Sequence, residues 1–216
     1  LSDHISSGQT SLTTVQGSIC FKNISFAYPG HEDKPILKDL SFSVKPGQIL
    51  ALVGPTGSGK TTVARLLTRL YTGYTGAITI DNHDITTLTT ASLREQIATV
   101  TQDIHLFSDT VNFNIGLNNP AISKDDIIQA AKLTQAHDII LSLPNGYDTC
   151  LQQQGQQLSV GQAQLISFAR AMASHAPILL LDEATASIDS LSEQLIQKAI
   201  QSLLKEKTVI VIAHRL

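Results

Sequence analysis

The sequence predicts an α/β fold, and two apolar runs near its end are the first reason. Ile178 to Asp182 and Thr208 to Ala213 are short and almost continuously apolar, which is typical of strands that a parallel sheet buries on both faces. Ser190 to Leu204, which lies between them, has the apolar spacing of a helix. Strand, helix and strand in this order form the crossover unit that parallel strands need.

The residues near the amino end predict a second, antiparallel layer. Ser18 to Tyr28 and Leu37 to Val44 alternate apolar and polar residues, and a Pro-Gly pair follows each of them. Half-buried strands bounded by turns have this pattern. Further short strands are predicted at Gln48 to Val53, Ala77 to Asp81 and Ile97 to Thr101.

Three more segments have helical spacing: Thr61 to Tyr71, Lys124 to Leu143 and Ser159 to Ala173. The hydroxyl of Ser159 is a suitable N-cap for the last of them. Because the segment from Lys124 interrupts the alternation of strands and helices, we expect a helical subdomain inserted at about residues 103–172.

Composition and charge narrow the class of protein. The chain has 216 residues, 42% of them hydrophobic, which is typical of a packed globular domain. A net charge of −3 argues against a general nucleic-acid binder, which would carry a basic surface. Cys20 and Cys150 lie far apart, so neither a zinc site nor a disulfide framework is predicted.

The two ends of the chain predict a piece of a longer polypeptide. Residues 1–16 are polar and rich in Ser and Thr, begin without Met and lack the apolar core of a signal peptide, so we interpret them as a linker. Residues 17–216 form the predicted domain. It ends directly after an apolar run, so we expect a truncated carboxyl end.

A glycine-rich loop predicts a phosphate site. Residues 54–61 fit the pattern G-x-x-x-x-G-K-[ST], in which backbone N–H groups wrap phosphates at the start of a helix. Lys60 would reach the β- and γ-phosphates, and the Thr61 hydroxyl would bind Mg²⁺. The alternative is an ordinary glycine-rich turn with a chance lysine. The predicted nucleotide-binding residues here are Gly54, Pro55, Thr56, Gly57, Ser58, Gly59, Lys60, Thr61 and Thr62.

Two acidic residues follow a predicted buried strand. Asp182 would hold Mg²⁺ through water at the carboxyl end of the strand, where α/β sheets bind ligands. Glu183 would accept a proton from an attacking water. The alternative is that the pair caps the next helix.

Further motifs resemble those of ABC ATPases. Leu158-Ser-Val-Gly-Gln162 resembles the family's signature sequence, and Ile178 to Ala186 resembles its Walker B segment. Gln102 is similar to the Q-loop residue, Asp189 belongs to a D-loop-like segment, and His214 is similar to the H-loop residue. From about Ser18 onward the chain is most similar to the nucleotide-binding domains of exporters that fuse a membrane domain ahead of the ATPase. This resemblance implies a P-loop NTPase core of the RecA-like type.

The resemblance implies a role for each of these residues. Tyr28 would stack on adenine, Gln102 would contact the metal or the lytic water, and His214 would contact the γ-phosphate and orient Glu183. Their alternatives are a strand-end aromatic, a solvated glutamine and a structural histidine.

The resemblance also implies a partner. Ser159, Gly161, Gln162 and Asp189 would act on ATP held by a second ABC ATPase domain, in a head-to-tail pair of equal or different chains. Three positions depart from the family pattern: Val160 replaces a glycine, Ala163 a basic residue and Gln153 an acidic one. The departure at Gln153 concerns communication with the membrane domain rather than hydrolysis.

The expected function is that of the ATPase domain of an exporter, with ATP and Mg²⁺ as ligands and the membrane domain of the same polypeptide as a partner. We expect the domain itself to be soluble and the whole protein to lie at the cytoplasmic face of the cell membrane. The alternative is a soluble ABC-type ATPase with a mechanical role. A small-molecule P-loop kinase is a third candidate, but it leaves Leu158 to Gln162 and His214 unexplained.

Overall fold

A computed structural model describes residues 8, 10–12, 15–101, 103–152, 155, 157–182 and 190–213. The strands are β1 (Ile19–Phe26), β2 (Leu37–Val44), β3 (Ile49–Val53), β4 (Thr75–Ile80), β5 (His83–Asp84), β6 (Ile97–Val100), β7 (Ile178–Asp182) and β8 (Thr208–Ala213). The helices are α1 (Lys60–Leu67), α2 (Thr90–Glu95), α3 (Val111–Gly116), α4 (Lys124–Leu133), α5 (His137–Leu141), α6 (Val160–Ala173) and α7 (Ser190–Glu206), with a 3₁₀ turn at Gly146–Asp148.

The strands form the two predicted sheets. The antiparallel sheet has the order β2-β1-β4-β5, and the other has the order β3-β8-β7-β6 with parallel pairing throughout. Strand β8 lies between β3 and β7, so chain order and sheet order differ. All four parallel strands end at the same edge of the sheet, which is where ligands bind in folds of this class.

Strands β7 and β8 of the parallel sheet are buried on both faces, as their apolar runs predict, whereas the edge strand β3 exposes Ile49 and Val53. Leu179 and Leu181 face the core formed with helices α6 and α7, whereas Ile178 and Leu180 face the core shared with α1 and the antiparallel sheet. Successive side chains of a strand point to opposite faces, so α1 and α6 lie on opposite sides of the sheet.

Two predicted helices are too long. The helix predicted at Thr61 to Tyr71 ends at Leu67, because Arg69 takes a left-handed conformation (φ 51°) and its buried guanidinium donates hydrogen bonds to the carbonyls of Ile85 and Leu88. The helix predicted at Lys124 to Leu143 is two helices, since Gln135 between them has φ 61°. In both cases a left-handed residue ends a pattern that the apolar spacing alone would extend, and at Arg69 long-range hydrogen bonds hold that residue in place.

Helices α2 and α3 were not predicted from the sequence. Helix α3 and the short α2 have no long apolar repeat, and they begin at Thr110 and Thr89, whose hydroxyls cap them. Helix α6 begins after Ser159, as predicted. No helix in the described part of the chain is both long and apolar enough to span a bilayer.

The segment predicted as a linker binds the domain where the structure describes it. The backbone N–H of Gly8 donates to Leu88, that of Thr10 donates to Thr87, and that of Thr89 donates to Thr10. Gly8 and Thr10, which precede the predicted start of the domain at position 17, therefore also contact the domain.

Asp81 forms hydrogen bonds with the residues at the end of this segment. Its carboxylate accepts hydrogen bonds from the backbone N–H groups of Gln16, Gly17 and Ser18 at 2.6, 3.3 and 2.8 Å. Burial by itself raises the pKa of Asp81, but the hydrogen bonds from Ser18, Gln16 and Gly17 outweigh it and leave the pKa below its ordinary value of 3.8.

We expect Asp81→Asn to lower the free energy of unfolding by about 1–2 kcal/mol, because hydrogen bonds to a charged group are lost at a partly solvated site. The contribution is present above the ordinary carboxyl pKa and disappears as the pH falls through the lowered folded value. Urea unfolding at neutral and acidic pH measures this, with Asp33→Asn as an exposed control. A deficit that stays constant at acidic pH would contradict the assignment.

Candidate active site

The glycine-rich loop joins the end of β3 to the start of α1, as its motif requires. Gly54, Gly57 and Gly59 all have positive φ angles, of 152°, 84° and 91°. The loop therefore turns its backbone N–H groups in a way that residues with side chains rarely allow. Gly59 is the N-cap position of α1, so the loop and the positive end of the helix form one feature.

Lys60 is buried beneath this loop, with 7% of its surface exposed. Its Nζ donates hydrogen bonds to the carbonyl oxygens of Gly54 at 2.7 Å and Pro55 at 3.0 Å. The loop thus holds an ammonium group against its own backbone. A phosphate wrapped by the same loop would meet a charge that is already in place.

Gly59→Ala is expected to lower the free energy of unfolding by about 1–3 kcal/mol more than Gly57→Ala. Both positions require a left-handed backbone, but a Cβ at Gly59 would lie 2.7 Å from Leu37 Cδ2, whereas one at Gly57 meets no atom within 4 Å. The comparison separates packing from backbone strain, and chemical unfolding of both variants measures it. Equal losses would show that the contact with Leu37 is unimportant.

The strand ends bring Asp182 to the edge of the sheet from which the loop starts. Val53 pairs with Ala213, and Ile212 pairs with Asp182 across the central strand β8. His214 and Glu183 come next in the chain after two of these residues, but they lie outside the described residues, as do Gln102, Gln153 and Asp189.

A cavity of about 540 Å³ opens beside the loop. Thr61 and Asp182, two of the three predicted metal ligands, both line it. Thr101 and Asp103, which flank the third, Gln102, in the chain, also line the cavity, as does Thr99. The structure therefore places the oxygen groups of Thr61 and Asp182 at one solvent-accessible space.

The basic side chains of this cavity are not among the predicted site residues. Arg65, Arg94 and His105 line it. Arg65 lies four residues after Thr61, so both belong to one face of α1, and this spacing is a signal that could have identified it. For His105 the sequence offers no such spacing.

The family follows from comparison with known sequences. Residues 37–186, more than half of the chain, match the family described as ABC transporter. The chain belongs to the ABC transporter family. This confirms the predicted family and the predicted class of nucleotide-binding ATPase domain.

Individual relatives agree with the assignment. The chain is 47% identical over 205 residues to an ABC transporter ATP-binding protein of Mycoplasma genitalium, covering 95% of this chain and 34% of that protein. It is 44% identical over 209 residues to a multidrug export ATP-binding/permease protein of Staphylococcus aureus, covering 97% of this chain and 36% of that protein.

A solved structure extends the likeness to the fold. It is that of a bacterial Atm1-family ABC exporter with ATP bound, which has a TM-score of 0.84 and 40% identity, and the match covers 100% of this chain and 37% of that one. The predicted α/β P-loop fold is thereby confirmed. The chain spans about a third of the length of the relatives it matches.

The ABC signature segment begins helix α6 with a capping box. Ser159 Oγ accepts a hydrogen bond from the backbone N–H of Gln162, and the Gln162 side chain accepts one from the backbone N–H of Ser159. Gly161 is buried, whereas the Val160 side chain is 60% exposed. The amide of Gln162 thus shapes the helix start, and the departure at Val160 changes the surface rather than the core.

Tyr28, the predicted adenine-stacking residue of this ABC domain, lies against α1. Its hydroxyl is 2.9 Å from Thr62 Oγ1 and accepts a hydrogen bond from Arg65 at 3.2 Å. Its half-buried ring packs edge to face with Tyr71 and Phe26. Tyr28 is therefore tied to the helix that follows the phosphate loop.

Proposed function

We propose that this domain binds MgATP, pairs head to tail with a second ABC ATPase domain, and hydrolyses ATP to drive export of a substrate through a membrane domain. The observation that carries the proposal is the joint position of Lys60, Thr61 and Asp182. Lys60 is held under the phosphate loop, and the other two line the cavity beside it.

The oxygen groups at this cavity suit a magnesium ion. Thr61 offers a hydroxyl and Asp182 a carboxylate, and Mg²⁺ prefers such ligands together with phosphate oxygens and water. When bound, the ion would neutralise charge on the β- and γ-phosphates. Gln102 would add an amide oxygen, as the resemblance implies.

The chain supplies its own groups for binding and proton transfer. The N–H groups of residues 54–61 and the ammonium of Lys60 would hold the phosphates, and Tyr28 would stack on the adenine ring. Glu183 follows the last residue of β7 and would take the proton of the attacking water, while His214 follows β8 and would orient both. Glu183 and His214 follow the adjacent strands β7 and β8 in the chain, so one loop would not have to carry both groups.

The position of the signature segment supports pairing. Helix α6, with Ser159 at its N-cap, packs on the face of the sheet opposite to α1. A helix N-terminus presents free N–H groups and a positive dipole to an anion. Ser159, Gly161, Gln162 and Asp189 would therefore act on the ATP of the partner domain.

Light scattering tests the pairing. The Glu183→Gln chain is expected to be a monomer alone and a dimer with MgATP, because binding without turnover traps the closed pair. The matched control adds Ser159→Trp, which places a bulky side chain at the exposed helix start and should prevent pairing without blocking binding of a fluorescent ATP analogue. A Glu183→Gln sample that remains monomeric at saturating MgATP would contradict the proposal.

Cell fractionation tests the export role. An antibody against this chain is expected to detect the protein in membranes after alkaline carbonate washing, since a relative is named as an export ATP-binding/permease protein. Detection only in the soluble fraction would instead support a soluble ABC-type ATPase.

A further inference from the structure

Arg170, near the end of helix α6, is bound to two separate segments of the helical region. Its Nε donates to the carbonyl of Asn114 at 2.6 Å, and its Nη1 donates to the carbonyl of His105 at 3.0 Å. Its Nη2 donates to Asn114 Oδ1 at 3.2 Å, and the guanidinium lies 5.7 Å from the ring centroid of Phe107. The Arg170 side chain thus forms hydrogen bonds with both the loop 105–110 and helix α3.

Asn114 forms further hydrogen bonds with the same loop. It is fully buried, and its Oδ1 also accepts the backbone N–H of Phe107 at 2.7 Å. Its Nδ2 donates to the carbonyls of Phe107 and Thr110, both at 3.0 Å. A buried amide with several backbone partners fixes a loop firmly, because each bond would otherwise leave a buried polar group unpaired.

The loop 105–110 exposes an aromatic side chain. Phe107 is 52% exposed although its backbone is fixed on both sides by Asn114. Its ring also packs edge to face with Phe113, with 5.8 Å between the centroids. The contacts therefore fix a loop that buries Leu106 in the core and leaves Phe107 half exposed at the surface.

The two ends of α6 make different connections. Its first turn is the signature segment capped by Ser159, and Arg170 lies about 16 Å further along the same rigid helix at 1.5 Å per residue. The loop that Arg170 holds begins shortly after Gln102 in the chain and includes His105, which lines the cavity shared with Thr61 and Asp182.

We infer that Arg170 is a positioning residue, which transmits movement of the signature helix to the loop 105–110 when ATP closes the pair of domains. The inference rests on the proposed function, because it requires the signature end of α6 to respond to ATP on a partner. An arginine suits this role because its planar fork reaches three acceptors in fixed directions, whereas a lysine ammonium cannot match them.

Hydrogen exchange of the Glu183→Gln chain, read by mass spectrometry on peptides covering 103–116, tests the inference. MgATP is expected to change exchange in these peptides by about fivefold or more, the factor that corresponds to 1 kcal/mol. With Arg170→Gln added, the dimer should still form by light scattering while the MgATP-dependent change is lost. Arg170→Lys, which keeps the charge and is less disruptive to folding, should lose part of it.

Arg69→Lys is the matched control, since Arg69, like Arg170, donates to two backbone carbonyls, but it is a buried arginine on the α1 side of the sheet. It should keep the MgATP-dependent change in residues 103–116. The inference is wrong if both Arg170 variants keep the full change, or if Arg69→Lys loses it equally. Absence of an ATP-dependent dimer in the parent Glu183→Gln chain would instead refute the proposed pairing.

Discussion

Lys60→Met is expected to reduce ATP hydrolysis by about 10²–10³-fold, the usual cost of removing one preorganised donor from a reacting group. The ammonium is held by the carbonyls of Gly54 and Pro55, so it is in place before the phosphates arrive. Methionine replaces the apolar stem of lysine with an uncharged chain of similar shape that lacks the ammonium group and its hydrogen bonds. Binding of ATP should also weaken, because Lys60 contacts phosphates in the ground state as well as during reaction.

Phosphate release and titration with a fluorescent ATP analogue measure the two effects of Lys60→Met separately. Lys198→Met, at an exposed position on α7, is the control and should leave both unchanged. A chemical unfolding curve for each variant checks that the loop carbonyls, left without their donor, have not unfolded the domain. Hydrolysis within threefold of the parent at equal folding would exclude Lys60 from the site.

Glu183→Gln is expected to lower turnover by about 10²–10⁴-fold, the range of general base catalysis, and to leave ATP binding nearly unchanged. The amide has the same shape as the carboxylate but cannot accept the proton of the attacking water. Its position next to Asp182, at the carboxyl end of β7, is what makes the role plausible.

Single-turnover phosphate release at saturating MgATP isolates this step from binding. Asp182→Asn is the informative comparison, since loss of a metal ligand should weaken Mg²⁺-dependent binding together with turnover. Asp125→Asn, an exposed carboxylate on α4, is the neutral control. Unchanged phosphate release by Glu183→Gln would refute its assignment as the base.

Local pattern was enough to predict much of this domain. The runs at Ile178 and Thr208 predicted buried parallel strands because burial on both faces allows no polar alternation, and the structure confirms both. Ser159 predicted a helix start because a hydroxyl cap acts within four residues of sequence. The phosphate loop was predictable for the same reason, since its glycines and Lys60 belong to one short, contiguous segment of the sequence.

Contacts between distant segments were decided only by the tertiary structure. Nothing in the spacing of Thr61 to Tyr71 shows that Arg69 would leave the helix to bind the carbonyls of Ile85 and Leu88. Similarly, Arg170 and Asn114 lie 56 positions apart, and neither residue type alone predicts the other. The sequence by itself determined the buried strands, the cap and the phosphate loop, because each depends on a pattern within one short segment. Only the fold decided where helices end and which loop the signature helix holds, because those depend on buried polar groups finding partners far along the chain.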